Sequence, residues 1–198
     1  MRQETQVADK VWAVEYKQHQ IRVINKVSFS SSKRNEILEI DGVEIDRVQC
    51  SMFRICSTIF AKYKFAGIEQ EVEVRIAQKN DFSDRGCQIF IDEQKVGGDS
   101  SIQYPNPQDA AKHIKNGFLQ YSLSEGLLIY GLPFGIMQSF LHPANSLSEK
   151  VVMFLLSTLS FGFCMSFYMW TVMKQSLNDR QKARQKLARQ IKSKKLSK

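Results

Sequence analysis

Three histidines and four cysteines are the side chains with which this chain could transfer protons, attack an electrophile or hold a metal, and their spacing argues against all three chemistries. His19, His113 and His142 are scattered. Cys50, Cys56, Cys87 and Cys164 contain no Cys-x-x-Cys pair, so neither a zinc site nor a disulfide framework is indicated. A Cys50–Cys56 or Cys50–Cys87 bridge is conceivable on spacing, but nothing requires one. His19, flanked by Gln18 and Gln20, reads as an ordinary strand residue. The nucleophile-elbow, zincin, phosphate-loop, EF-hand and dinucleotide-binding patterns are absent from the sequence. Gly97-Gly98 reads as the start of a linker. The acidic groups Asp41, Glu44 and Asp46, Asp81 and Asp84, and Asp92 and Glu93 read as turn formers, because Asp bonds its own backbone there. The expectation is therefore no catalytic residue, no cofactor, no metal ligand and a non-enzymatic protein.

Two other patterns do carry physical content. The first is a pair of small-residue stripes, Gly131, Gly135 and Ser139, then Thr158, Gly162 and Ser166, each spaced by four. Four-residue spacing places small side chains along one helix face and lets two backbones approach closely inside a bilayer. The second is a basic tail: Lys174, Arg180, Lys182, Arg184, Lys186, Arg189, Lys192, Lys194, Lys195 and Lys198 against Asp179 alone. Residues 1–123 hold 17 basic and 17 acidic side chains, so the net charge of +8 belongs to the tail. A neutral N-terminal region argues against a nucleic-acid-binding face there. The tail suits anionic lipid, a protein partner or, less directly, RNA or a ribosome.

These patterns sit on segments of contrasting type. Residues 151–173 hold no charged side chain; at 1.5 Å per residue they make a helix about 34 Å long, enough to cross a hydrocarbon core of about 30 Å. Ser146 and Glu149 have capping-box spacing at its entry, and Tyr168 and Trp170 lie near its basic end. Residues 126–142 are shorter and contain Gly131, Pro133 and Gly135; a kinked second span, a re-entrant segment and a soluble helix all remain open, with the span preferred. The basic tail, with Lys112 and Lys115 before the first apolar stretch, predicts both termini on the cytosolic side. Asn106, Pro107 and Asp109 start an amphipathic helix with a stripe of Ala111, Ile114, Phe118 and Tyr121, expected on the membrane surface or against the preceding domain, the surface being preferred.

Upstream, the chain reads as strands. Residues 11–16, 20–27, 36–41, 43–46, 52–65, 69–76 and 87–92 alternate or run apolar, and Asp41-Gly42 signals a tight hairpin. The order repeats with an offset of 51, Val23 answering to Val74 and Ile40-Asp41 to Ile91-Asp92, while the loop 28–36 is matched with 78–86. Two units of four strands predict an antiparallel sandwich or partly closed barrel of seven to eight strands. The pattern His19-x-Ile21-x-Val23, a polar loop, then Ile37-Leu38-Glu39-Ile40-Asp41-Gly42 resembles the hairpin repeat of Fas apoptotic inhibitory molecule-type β-sandwiches over residues 11–98 at most. That resemblance implies an all-β sandwich and a non-catalytic protein.

The predicted organisation is an N-terminal tail (1–10), a β-sandwich (11–98), a linker (99–107), an amphipathic helix (108–125), a first membrane segment (126–142), a short loop (143–150), a transmembrane helix (151–173) and the basic tail (174–198). The functional expectation is a membrane-anchored scaffold or protein-interaction module whose tail grips anionic lipid or a partner. The alternative is a subunit of an oligomeric assembly or pore packed through the Gly/Ser stripes.

Overall fold

The computed structural model describes residues 6–28, 31–80, 84–141 and 146–196. Eight strands form first: β1 (Gln6–Tyr16), β2 (His19–Ser28), β3 (Lys33–Ile40), β4 (Val43–Ser51), β5 (Cys56–Phe65), β6 (Ile68–Gln78), β7 (Arg85–Ile91) and β8 (Gln94–Gly98). They make two antiparallel four-stranded sheets with the orders β1-β2-β3-β4 and β5-β6-β7-β8. Alternation decides which side chains turn inward: Ile21, Val23, Leu38 and Ile40 from one sheet meet Ile59, Val72, Val74 and Ile89 from the other in one core. Neither sheet could bury its apolar face alone.

Four two-residue turns lie at one end of the sandwich, and all have positive φ at both positions: Lys17-Gln18, Asp41-Gly42, Ala66-Gly67 and Asp92-Glu93. That geometry matches the right-handed twist of the flanking strands. The last turn falls at Asp92-Glu93, so β7 ends at Ile91, one residue earlier than the strand expected over 87–92. Gly98 has a φ of +91° and lies against the Cys87 carbonyl, where a Cβ would come within 2.1 Å; a Cβ at Gly97 would lie 2.7 Å from Val14 of β1. Gly97-Gly98 is therefore a close-packed strand end, not only a linker.

The chain forms two compact units, residues 1–104 with 178–198, and residues 105–177. The second is helical: α1 (Pro107–Asn116), α2 (Phe118–Tyr121), a π-helical segment (Ser122–Gly131), α3 (Leu132–Leu141) and the first part of α4 (Leu147–Leu196). Asn106 caps α1 by accepting from the Gln108 N–H, and Gly117, at a φ of +96°, ends it. The amphipathic stripe is Ala110, Ile114, Phe118 and Tyr121, and it packs on Trp170, Met173 and Leu177 of α4. This replaces both partners the sequence suggested, and the stripe includes Ala110 where Ala111 was expected; Ala111 is exposed.

Candidate functional site

In the helical unit the small residues mark a close helix contact. A Cβ built on Gly126 would meet Ser166, one on Gly131 would come within 2.4 Å of the Thr158 carbonyl, and one on Gly135 would meet Thr158 and Phe154. The pairing runs antiparallel, since rising numbers on one helix meet falling numbers on the other. Gly131 and Gly135 thus face Thr158 and Gly162, Ser166 lies against Gly126, and Ser139 is half-buried and donates to the Ile136 carbonyl of its own helix. Gly126 escaped the four-residue pattern because it lies five before Gly131. The π segment explains this: its i→i+5 turn is one residue wider, so Gly126 and Gly131 share a face. The segment ends at Gly131, two residues before Pro133, which has no N–H and is the second residue of α3, and the kink expected at the proline is taken up as π turns. Phe134 stacks on Phe161 at 4.1 Å between ring centroids.

The opposite faces of these helices are apolar and exposed, Leu128, Ile129, Phe140, Leu155, Leu156 and Phe167 among them. Helix Leu147–Ser193 is long and apolar enough to cross a membrane by length and composition; its most apolar 18-residue window has a mean hydropathy of 1.8 and only 11 % of it is buried. A core helix of a soluble protein would be mostly covered. Trp170 is buried beneath Phe118 and Tyr121, with the Lys174 ammonium 5.5 Å from its ring.

In the β unit, the notable chemistry is charge inside the fold. Glu36 is fully buried and Arg34 is 2 % exposed. Arg34 Nε donates to Glu36 at 2.9 Å, Ser57 donates its hydroxyl to the other carboxylate oxygen, and Arg85 Nη2 lies 3.9 Å away. Burial lowers the Arg85 pKa to about 10, and its Nε and Nη2 have no hydrogen-bond partner among the described residues. Arg34 and Arg85 both donate to the Arg54 carbonyl, at 3.2 and 2.8 Å.

The C-terminal part of α4 docks on the second sheet and on β4 of the first. Arg54 Nε donates to Asp179 at 3.0 Å. Buried Glu73 accepts from Arg75 at 2.7 Å and from Arg180 at 3.0 Å. Arg184 lies 3.7 Å from Glu71, Lys186 pairs with Asp46, and the Arg180 and Arg184 guanidiniums cover the Phe60 ring. Leu187 is buried. Burial pushes the Asp179 carboxyl above its ordinary value, against the attraction of Arg54. Of the expected tail residues, Arg180, Arg184 and Lys186 are thus engaged by carboxylates of their own chain. Lys174, Lys182, Arg189 and Lys192 are exposed, and the side chains of Lys194 and Lys195 lie outside the described residues. A groove of about 160 Å³ runs between Val48, Arg54, Thr58 and Lys182, smaller than the roughly 300 Å³ at which small-molecule sites begin.

No disulfide joins the four cysteines. Burial raises the thiols of Cys50, Cys56 (to about 12) and Cys87, which keeps them protonated and weakly nucleophilic at neutral pH. His19 Nδ1 lies 2.6 Å from Asp41, which also accepts from Tyr63 at 3.2 Å, and its ring sits edge-on to Tyr63 and Phe65. Among the described residues no group of three His, Cys, Asp or Glu is placed to hold a metal.

Neither protein-family models, nor curated proteins, nor solved structures give a match to this chain.

Proposed function

We propose that this chain is a two-span integral membrane protein with both termini on the cytosolic side, and that its β-sandwich is a non-enzymatic docking module for a protein partner. One observation carries the reading: two close-packed helices present an apolar, water-incompatible exterior along their length. The first span is the continuous helical stretch 118–141, long enough with its π turns to cross, and the second is 151–173. The two sheets are two copies of one four-strand unit, consistent with the likeness to Fas apoptotic inhibitory molecule-type hairpins. Lys174, Lys182, Arg189 and Lys192 attract anionic headgroups, while Arg180, Arg184 and Lys186 hold the tail to the sandwich.

The oligomer or pore reading is second. It needs the Gly/Ser stripes for contacts between chains, and those stripes are already occupied by contacts within one chain, which favours the first reading. Two measurements separate them. A cysteine at Ser146, in sealed vesicles, reacts with a membrane-impermeant maleimide only from the face opposite to one at Gln181; labelling of both from one face contradicts the two-span reading. The detergent-solubilised wild type has the native mass of one chain; a defined homo-oligomer favours the alternative.

A further inference from the structure

We propose that the turn joining β4 to β5 is a second membrane contact, with the Phe53 ring seated at the lipid headgroup level. The inference rests on the membrane reading above. Phe53 is 80 % exposed, the highest exposure of a large apolar side chain in the β unit's described residues. A lone exposed apolar residue needs no explanation. This one is different because of what holds it. The turn closes through Arg54 N–H to the Ser51 carbonyl at 3.1 Å, and Met52 N–H donates to the Ser32 carbonyl at 3.1 Å. Phe53 N–H reaches the Ser51 hydroxyl at 3.3 Å. Arg34 reaches the Met52 carbonyl at 3.4 Å, and Arg34 and Arg85 both reach the Arg54 carbonyl.

The buried Arg34–Glu36–Arg85 group therefore buttresses this one turn. Burying such charges is costly, and apolar side chains of similar volume often fill such a site at no loss of stability. A fixed turn has a use if its tip must enter an ordered environment, since a preformed wedge loses little conformational entropy on insertion.

The position of the turn names the occupant. Arg54, next to Phe53, is bound by Asp179. Asp179 is six residues beyond Met173, the last residue of the apolar run. Six residues span at most about 20 Å even when fully extended. Chain reach alone thus keeps Arg54 near the level at which the helix leaves hydrocarbon. The surrounding charge agrees: Lys33 lies opposite Ser51 in the sheet, Lys182 is exposed on the docked helix, and Asp84 is neutralised by Lys10. An aromatic tip flanked by lysines suits the interface of a bilayer containing anionic phospholipid.

The test places a nitroxide label in the full-length protein, reconstituted in vesicles of phosphatidylcholine and phosphatidylglycerol. Cys164→Ser removes the exposed thiol; the other three cysteines are buried. Labels go at Phe53→Cys, at Gln94→Cys on the opposite end of the sandwich, and at Leu156→Cys on the outer face of the second span. Oxygen prefers lipid and a nickel chelate prefers water, so the ratio of their collision rates reports depth. The ratio at 53 is expected to exceed that at 94 by about threefold and to stay below that at 156, as for a side chain 5–10 Å into the interface. A ratio at 53 equal to that at 94 overturns the proposal. So does shielding of 53 from both reagents, which marks a protein contact instead. If 156 also matches 94, the membrane reading falls and takes this inference with it; if 156 reports lipid and 53 reports water, this inference alone fails.

Discussion

The two sheets have the same antiparallel strand order and very different surroundings. With an offset of 51, Ile21 pairs with Ile40 as Val72 pairs with Ile91, and Asp41 receives the Gln20 N–H as Asp92 receives the Glu71 N–H. Arg34 and Arg85 are counterparts under that offset, and both reach the Arg54 carbonyl. Their neighbours diverge: Glu36 in the first sheet corresponds to Cys87 in the second. One carboxylate therefore serves two guanidiniums, and Arg85 Nε and Nη2 lack a hydrogen bond among the described residues. The outer faces diverge as well. Phe60 and Glu73, paired in the second sheet, are 2 % and 3 % exposed under α4, while Arg22, the counterpart of Glu73, and its pairing partner Ala13 lie on an open face. The difference teaches that strand pattern and turn chemistry set the frame, whereas individual polar substitutions decide which copy is braced and which is covered.

The most damaging way to break this comparison is Glu36→Ala. It leaves Arg34 and Arg85 buried without their carboxylate, at about 3–5 kcal/mol. The β unit's melting midpoint, followed through Trp12 fluorescence in detergent with Trp170→Phe, should fall by at least about 10 °C. A smaller effect is expected from Arg180→Ala, which leaves buried Glu73 with Arg75 alone and costs about 1–3 kcal/mol. Its signature is faster trypsin cleavage between Lys182 and Lys192, because the helix end loses its grip on the second sheet. Arg22 on the outer face of the first sheet is paired with Glu39 in a partly exposed setting, so Arg22→Ala should change stability by less than about 0.5 kcal/mol.

The turns offer a gain in the other direction. Gly42 occupies its left-handed position without strain, whereas Glu93 holds a φ of +68° with a side chain. Glu93→Gly should raise stability by roughly 0.5–1 kcal/mol in denaturant titration. The smallest effect is electrostatic. Hydrogen bonding from His19, then from the Gln20 N–H, holds the Asp41 carboxyl below its ordinary value of 3.8; Gln70 and the Glu71 N–H do the same for Asp92. A carboxyl whose pKa is lower in the folded state contributes stability above its unfolded value, and that contribution is lost as pH falls through the folded value. Both turns should therefore weaken below about pH 4. His19→Ala should move the carbon-13 titration midpoint of Asp41 upward and leave that of Asp92 in place.

Much of the frame was legible in the residues themselves. Asp41-Gly42, the alternation in 69–76 and the offset of 51 mark hairpins because side-chain period and turn chemistry are local properties. The buried charge group was missed for a traceable reason. Matching 28–36 with 78–86 is out by one residue; the offset of 51 aligns Arg34 with Arg85 and would have flagged the pair. What no pattern could give is that Glu36 serves both, since that depends on the two sheets closing over one another. In the helices, a fixed spacing of four found Gly131 and Gly135 but not Gly126, because a π turn has its own period. The tail's charges were visible; that Arg180 and Arg184 would find Glu73 and Glu71 was not, as those carboxylates are more than 100 residues away in sequence.

The account stands on hydrocarbon being the solvent for the helices at 118–141 and 151–173. Alkaline carbonate extraction of membranes carrying the full-length chain tests this most directly. It should leave the protein in the membrane pellet and release it only with detergent. Recovery in the carbonate supernatant, as a monodisperse species that needs no detergent in neutral buffer, would contradict it.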